Sequence, residues 1–264
     1  MTFRAFNEGL TTPFHGYYGF RHADGQWTWQ SLTAHFATYG VNVVADPKLF
    51  TSGGRVLVTF NSGTPPAGEN DVYVAEVWPV LGPPLKCLLD GRERIEKNWA
   101  FFSEEGGALS AIYSLVPLTF IQAAPGAPDD STLRFVRTSQ DGHRDSMRLG
   151  RRLSLGTQPI LEQDRLRMVA HEKFWLGRRR AYAGRPITID GLSTGEPLLS
   201  VSRIRLVHTW KDALPRISPS HNPNLLSATY FAGLTRVDGE LVASYGINDI
   251  GFAITGMEEQ LWTL

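Results

Sequence analysis

Short runs of alternating hydrophobic and polar residues, each ended by a turn signal, follow one another along the chain. In residues 44–60, β-branched and aromatic residues lie on both sides of Gly53 and Gly54. Two successive glycines supply the positive φ angles of a two-residue hairpin turn, and the flanking residue types favour strands. Pro47 suits the first residue of a strand. This stretch therefore predicts a β-hairpin with Asp46 just before its first strand.

The same hairpin pattern recurs along the chain, and the first copy keeps only its second strand. The second strands end at Phe6, Phe60, Tyr113, His171 and Tyr245. These ends are about 53 to 74 residues apart, and repeats of roughly this size with several short strands are typical of β-propellers. We therefore predict an all-β fold, a five-bladed β-propeller that forms a single domain over residues 1–264, with its first blade shortened at the N-terminus. The alternative is an irregular β-sandwich whose hairpins share turn chemistry.

Shorter alternating runs predict the remaining strands. They lie at 71–78, 85–89, 119–121, 187–189 and 199–202. The apolar run 260–264 is expected to form an outer strand on the first or the last blade, because closing a sheet edge prevents pairing with other molecules.

Composition and charge narrow the classes of function. Hydrophobic residues make up 42% of the 264 residues and the formal net charge is +0, so the chain is expected to fold and not to bind nucleic acid through bulk phosphate neutralisation. Cys87 is the single cysteine and cannot form an intramolecular disulfide. The sequence has neither a signal-peptide pattern nor a membrane-spanning apolar run. We expect a cytoplasmic protein with no membrane partner, and an oligomer is compatible with these features.

Motifs for metals and nucleotides are absent from the sequence. It has no zinc-ligand spacing, no phosphate-binding loop and no nucleophile elbow. No metal and no organic cofactor are therefore expected.

Polar residues recur at equivalent positions of the hairpins. In an antiparallel hairpin the start of the first strand and the end of the second lie at the same end, so equivalent positions of the repeats share one face. The polar residues gathered in this way include Glu8, Asp46, Asn61, Lys97, Asn98, His171, Glu172, Tyr245 and Asp249. A carboxylate among aromatic neighbours and other carboxylates is a candidate general acid. Asp46 before Pro47 is also typical of a simple turn cap.

Arginine clusters are the second candidate feature. One holds four arginines between residues 144 and 152, and the other is Arg178-Arg179-Arg180. Such runs are usually solvated faces, but they also suit an anionic ligand. Because Arg178 follows His171 closely in the chain and the hairpin rule places His171 with Lys97, we predict an anion site near Lys97, His171 and Arg178.

Three phrases of the sequence resemble a known family. Residues 45–50 resemble the Glu-Asp-Pro-Arg phrase of the five-bladed β-mannoside phosphorylases and hydrolases, glycoside hydrolase family 130, although Ala45 and Lys48 replace its acid and its Arg. Residues 96–99 with 113–114, and residues 244–249, resemble the later blade motifs of that family. The resemblance implies the following roles: proton donation by Asp46, phosphate or sugar binding by Lys97, Asn98 and His171, and sugar binding in the donor subsite by Tyr245 and Asp249.

The function expected from these features is cleavage or transfer of a glycosidic bond, which the resemblance makes β-mannosidic. The mechanism would be inverting, with Asp46 as proton donor and inorganic phosphate or water as acceptor. Water requires a second carboxylate as base, for which Glu8, Glu172 and Asp249 are candidates, whereas phosphate requires nearby cations. The alternatives are a mannosyltransferase-like propeller and a non-catalytic carbohydrate-binding propeller. An oligosaccharide or glycoside is the expected partner in each case.

Overall fold

The structure is a computed structural model, and almost all of its regular structure is β. It describes residues 1–6, 14–63, 70–94, 96, 98–103, 107–126, 131–140, 152–208, 225–248 and 251–262. The exceptions among these residues are the short helix α1 (Leu32–Ala37) and one turn of 3₁₀ helix, Glu259–Trp262. The all-β prediction is therefore confirmed for the described residues. No helix among them is long and apolar enough to cross a membrane.

The chain divides into two compact units. Unit 1 consists of residues 1–111 and 121–138, and unit 2 consists of residues 112–120 and 139–264. A three-stranded sheet opens unit 1 with the strands β1 (Thr2–Phe6), β2 (Phe14–Arg21) and β3 (Trp27–Ser31), side by side in that order.

An eight-stranded sheet follows. Its strands in chain order are β4 (Ala45–Ser52), β5 (Arg55–Asn61), β6 (Val72–Trp78), β7 (Leu85–Leu89), β8 (Ala100–Phe102), β9 (Ser110–Leu115), β10 (Leu118–Ala123) and β11 (Thr132–Gln140). Their spatial order is β4-β5-β6-β7-β11-β10-β9-β8. The sheet is thus two groups of four consecutive strands, joined by parallel pairing of β7 with β11.

The last sheet repeats this arrangement in unit 2. Its strands are β12 (Leu153–Ser154), β13 (Ile160–Glu162), β14 (Arg165–Leu176), β15 (Arg179–Asp190), β16 (Leu198–Val201), β17 (Leu225–Val237), β18 (Glu240–Ile247) and β19 (Gly251–Met257). The order is β12-β14-β15-β17-β18-β19, with β13 also paired to β14 and β16 to β15. Parallel pairing of β15 with β17 joins two antiparallel groups.

The predicted hairpin forms as β4 and β5. Ser52 pairs with Arg55 across a turn whose two residues, Gly53 and Gly54, have φ angles of 57° and 75°. This backbone matches the right-handed twist of the flanking strands. The predicted strands at 71–78 and 85–89 are likewise confirmed as β6 and β7.

Two helical segments were not predicted. Helix α1 begins after Ser31, whose Oγ accepts a hydrogen bond from the Ala34 backbone N at 3.1 Å, and such a cap satisfies one of the free N–H groups at a helix start. Leu32 and Phe36, one helical turn apart, are both buried in the core of unit 1. A segment of six residues covers fewer than two helical turns, so a helical period cannot be recognised in its sequence.

The prediction of a strand at 260–264 is wrong for its described part. Residues Glu259–Trp262 form a turn of 3₁₀ helix, while 263 and 264 lie outside the described residues. The turn places the indole of Trp262 in the core of unit 2, where its Nε1 donates a hydrogen bond to the Met168 backbone O at 3.3 Å. A buried indole needs such a partner, which an edge-strand position exposed to water would not require.

Cys87 lies in the seam between the two groups of four strands, β4–β7 and β8–β11, of the first eight-stranded sheet. On β7 it is paired with Leu133 of the parallel strand β11, and its side chain is 1% exposed. Burial raises the pKa of the Cys87 thiol far above its usual range.

Candidate functional site

The backbone at Asp46 departs from a regular strand. Asp46 has a φ of 50°, and the pairing of β4 with β5 shifts between Ala45 and Lys48. Asn98, which precedes β8, has a similar φ of 62°. Residues other than glycine adopt this left-handed conformation at a cost, and such strain concentrates at functional sites. Two predicted site residues therefore share a local geometry that re-aims their side chains.

The carboxylate of Asp46 has two partners in unit 1. Arg4 on β1 donates a hydrogen bond from Nη1 to Asp46 Oδ1 at 2.7 Å, which forms an ion pair. Asn61, the last residue of β5, donates from Nδ2 to Asp46 Oδ2 at 3.5 Å. The Asp46 side chain is 21% exposed. The carboxylate is thus held on both oxygens while part of it faces solvent.

Lys48 connects the Asp46 strand to Asn98. Its side chain lies in the interior at 2% exposure, and its Nζ donates to Asn98 Oδ1 at 3.0 Å. A few residues further on, the rings of Phe50 and Phe101 stack with their centroids 5.3 Å apart. The first strands β4 and β8 therefore run next to each other at this end, as the hairpin rule predicted for Asp46 and Asn98.

The residues that precede Asn98 and follow it are anchored in the core. Glu96 is buried and accepts hydrogen bonds from the Glu93 backbone N at 2.8 Å and from Trp99 Nε1 at 2.7 Å. Trp99 is buried as well. The loop that carries Asn98 is thereby fixed on both sides of that residue.

In unit 2, His171 lies in the interior of β14. Its Nε2 donates to the Phe231 backbone O at 2.9 Å, and its ring centroid is 3.9 Å from that of Tyr230. A Cβ on Gly156 would collide with the Val169 backbone O and lie 3.2 Å from His171 Nε2, so a glycine there lets the chain pass close to β14 beside the imidazole. The contacts fix His171 Nε2 as the protonated ring nitrogen, because a carbonyl oxygen only accepts.

Glu172, next to His171, is bound by two arginines. Arg185 Nη1 donates to Glu172 Oε2 at 2.8 Å, while Arg205 donates from Nε to Oε2 at 2.7 Å and from Nη2 to Oε1 at 3.0 Å. Burial by itself would raise the pKa of Glu172, but hydrogen bonds from Arg205 and Arg185 and the charges of both lower it below its usual value. Arg185 is fixed in turn by the Ser202 backbone O, to which its Nε donates at 2.8 Å.

The last predicted motif lies where β18 ends. Tyr245 is half-buried, with its ring centroid 5.2 Å from that of Phe231. Asn248 has a φ of 53°, and its Oδ1 accepts from the Ala228 backbone N at 2.7 Å. This left-handed residue lies directly before Asp249, which is outside the described residues, as are Glu8 and Lys97.

Arg178 is not a neighbour of His171. It lies in the turn between β14 and β15, whereas His171 is paired with Gly184 well inside the hairpin. At about 3.3 Å per residue of strand, the two backbones are roughly 20 Å apart. His171 and Arg178 therefore cannot bind the same small anion in this structure, and this part of the predicted anion site is corrected.

Sequence reasoning missed Arg4, Arg185 and Arg205 as partners of site residues, and it also missed Asn70, whose Nδ2 donates to Oδ1 of Asn61 at 3.3 Å. All four lie in predicted strands or loops without a motif, and their roles come from contacts across the fold. One available signal was the position of Arg4 near the end of the first predicted strand. No group of three His, Cys, Asp or Glu side chains in the described part of the chain is placed to hold a metal ion.

Comparison with solved structures finds similar folds. A candidate glycoside hydrolase from Parabacteroides distasonis matches with a TM-score of 0.64 at 10% identity, covering 99% of this chain and 83% of that one. The β-1,2-mannobiose phosphorylase of Listeria innocua, in complex with β-1,2-mannobiose, matches with a TM-score of 0.55 at 14% identity, covering 95% of this chain and 69% of that one.

A third similar structure comes from work on the GH130 family of mannoside phosphorylases, which contains glycoside hydrolases that target β-1,2-mannosidic linkages in Candida mannan. It matches with a TM-score of 0.59 at 12% identity, covering 98% of this chain and 80% of that one. No protein-family model matches the sequence, and no curated protein matches it. At these identities the likeness is one of fold, and at that level the resemblance to glycoside hydrolase family 130 is confirmed.

Proposed function

We propose that the five groups of consecutive strands are the blades of a single-domain, five-bladed β-propeller. The groups are β1–β3, β4–β7, β8–β11, β12–β16 and β17–β19. Two observations support this proposal: each eight-stranded sheet is two such groups joined by one parallel pair, and the fold is similar to that of a GH130 structure, the family whose resemblance implies five blades.

The proposed activity is cleavage or transfer of a glycosidic bond, with a β-mannoside as the substrate and an inverting mechanism. Asp46 gives its proton to the leaving oxygen as the bond from the anomeric carbon to that oxygen breaks, and the bonding electron pair goes to the same oxygen. A phosphate or water oxygen forms the new bond from the opposite face. Water would pass its proton to a second carboxylate, whereas ionised phosphate needs no base.

The observation that carries this proposal is the convergence of the first strands of unit 1 at Asp46. Thr2 Oγ1 on β1 donates to the Pro47 backbone O at 3.0 Å, and Lys48 reaches Asn98 before β8. A partly exposed carboxylate on a strained backbone, with the Arg4 guanidinium bonded to it, provides both an acid and a donor for sugar hydroxyls or phosphate oxygens.

The test is a product analysis. The chain is incubated with β-1,2-mannobiose and with longer β-manno-oligosaccharides, with and without inorganic phosphate, and the products are separated. Mannose 1-phosphate formed only with phosphate identifies a phosphorylase, and free mannose formed equally in both identifies a hydrolase. Unchanged oligosaccharide under every condition would contradict the enzymatic proposal.

The second candidate is a carbohydrate-binding propeller without catalysis. The Arg4–Asp46 ion pair favours it, because an ion-paired carboxylate accepts hydrogen bonds from sugar hydroxyls without giving up a proton. Calorimetric titration with the same oligosaccharides separates the two candidates, since saturable binding without turnover is expected only of the binding protein. A mannosyltransferase-like activity would require an activated donor and would appear only when one is supplied.

A further inference from the structure

The amide of Asn61 has a single orientation. The backbone N of Gly63 donates to its Oδ1 at 3.1 Å, and because an N–H can only donate, the atom that faces it has to be oxygen. The other end of the amide, Nδ2, therefore faces Asp46 Oδ2. Gly63 has a φ of 75°, which lets the chain fold back over Asn61 in a local turn of the kind that Asn favours.

Asn70 holds the same amide from the other side. Its Nδ2 donates to Asn61 Oδ1 at 3.3 Å, and its own Oδ1 accepts from Ser62 Oγ at 3.3 Å. Asn61 is 4% and Asn70 1% exposed, so neither amide is loosened by water. Buried polar groups that are satisfied in this way are rigid, and rotating one of them would leave another without its partner.

Asn70 also connects Asp46 to the loop that carries Asn98. Its backbone N donates to the Arg94 backbone O at 3.2 Å, and its backbone O accepts from the Glu96 backbone N at 3.1 Å. Asn70 thus contacts both Asn61, which binds Asp46, and the chain segment that leads to Asn98.

The two oxygens of Asp46 are not equivalent. Oδ1 receives the charged Arg4 donor at 2.7 Å, and Oδ2 receives the neutral Asn61 donor at the long distance of 3.5 Å. Charge-assisted hydrogen bonds at short distance are roughly twice as strong as neutral ones. Oδ2 is therefore the oxygen that can take up a proton and turn to a ligand with the smaller loss of contact.

We propose that Asn61 and Asn70 are positioning residues that aim Asp46 Oδ2 at the leaving oxygen, while Arg4 anchors Oδ1. The role in proton donation rests on the proposed function, whereas the claim that Asn61 and Asn70 fix the orientation of the Asp46 carboxylate does not depend on it. Asn61 presents an N–H and not a carbonyl to Oδ2, so within the described contacts of Asp46 no acceptor competes with the substrate for the proton.

The first test is structural and needs no activity. Crystal structures of Asn61→Ala and Asn70→Ala are compared with that of the parent chain. We expect the Asp46 carboxylate to rotate about its Arg4 contact in Asn61→Ala, and the Asn61 amide to turn away from Oδ2 in Asn70→Ala. A carboxylate that keeps its position in both variants would overturn the proposal.

The second test compares two leaving groups. Dinitrophenolate departs from a dinitrophenyl β-mannoside without proton assistance. The sugar oxygen that leaves from β-1,2-mannobiose requires a proton. Misplacement of a catalytic group by about 1 Å costs up to 10²-fold in rate, so we expect kcat on the disaccharide to fall about 10- to 100-fold in Asn61→Ala while kcat on the aryl glycoside changes little. A purely structural role would lower both rates equally.

Val58→Ala is the matched control, because Val58 lies on the same strand and is buried in the core of unit 1. It should lower stability without changing the ratio of the two rates. An equal loss on both substrates in Asn61→Ala, or the same ratio as in Val58→Ala, would contradict the positioning role. If the parent chain cleaves neither glycoside, the proposed function fails, and the crystal structures alone decide whether Asn61 and Asn70 position Asp46.

Discussion

At the scale of single residues, Asp46 combines a strained backbone with a partly exposed carboxylate. Asp46→Asn keeps the shape of the side chain, and Asn tolerates the left-handed conformation. We expect unchanged folding and a fall in kcat of about 10²- to 10⁴-fold on a mannoside with a poor leaving group, since the general acid is lost. Thermal melting and turnover are measured together.

A matched control is Asp238→Asn. Asp238 has nearly the same φ, 51°, in an exposed turn of unit 2, so the same chemical change is made on the same backbone conformation. Full turnover in Asp46→Asn would assign the proton to another residue, and an equal loss in Asp238→Asn would reveal an unspecific effect.

Glu172 governs stability through its two arginines. Its side chain is 5% exposed and that of Arg185 8%, whereas that of Arg205 is 56% exposed. Removing one partner of a buried ion pair costs about 3–5 kcal/mol, and an exposed pair contributes about 0–1 kcal/mol. We therefore expect Glu172→Ala to destabilise the fold far more than Arg205→Ala in urea unfolding. Similar losses in both variants would contradict this ranking.

The lowered pKa of Glu172 also gives a pH dependence. Because the folded chain holds the proton less tightly than the unfolded chain, the stabilisation is present above the ordinary pKa of a glutamate and is lost as the pH falls through the lower folded value. Unfolding free energies measured at falling pH should decline less steeply in Glu172→Gln than in the parent chain.

At the scale of elements, the β4–β5 hairpin depends on its two glycines. A Cβ at Gly53 would meet open space, so a substitution there tests the backbone alone. Gly53→Asn should leave the unfolding free energy nearly unchanged, since Asn-Gly is a preferred pair for this turn. Gly53→Val should cost about 1–2 kcal/mol, because a branched side chain opposes a positive φ. Equal denaturation midpoints for the two variants would show that this turn does not need the left-handed conformation.

The elements that the sequence predicts are those whose signals are local. The strand β5, its turn and the strand β6 follow directly from alternation and paired glycines, because both signals lie within a few residues. Helix α1 and the turn at Glu259–Trp262 escape the same reading, since they are short and their burial depends on cores built from distant strands. Local patterns therefore predict the hairpins and not the segments that pack against them.

The site is predicted only in part for a similar reason. Asp46 and Asn98 could be identified because they occupy equivalent positions in recurring hairpins. Arg4 could not, since it reaches Asp46 from a strand 42 residues away in the chain. Asn70 could not, since its contact with Asn61 depends on how the chain between them folds back. Apart from the position of Arg4 near the end of a predicted strand, the local sequence does not distinguish the two residues from surface residues.

At the scale of the whole molecule, the proposed single domain predicts cooperative unfolding. In a ring of blades each blade needs its neighbours to cover its apolar faces, so we expect one calorimetric transition with equal calorimetric and van't Hoff enthalpies. Two resolved transitions would instead indicate that units 1 and 2 unfold independently and would contradict the single domain.

The buried Cys87 makes the seam between β7 and β11 observable. A thiol that is sealed from water and holds its proton does not react with alkylating reagents, so the folded chain should be inert to them. Since Cys87 is the single cysteine, each modified molecule has separated these two strands or unfolded completely. Alkylation that is faster than global unfolding would therefore measure how often the two adjacent strand groups separate while the rest of the chain stays folded.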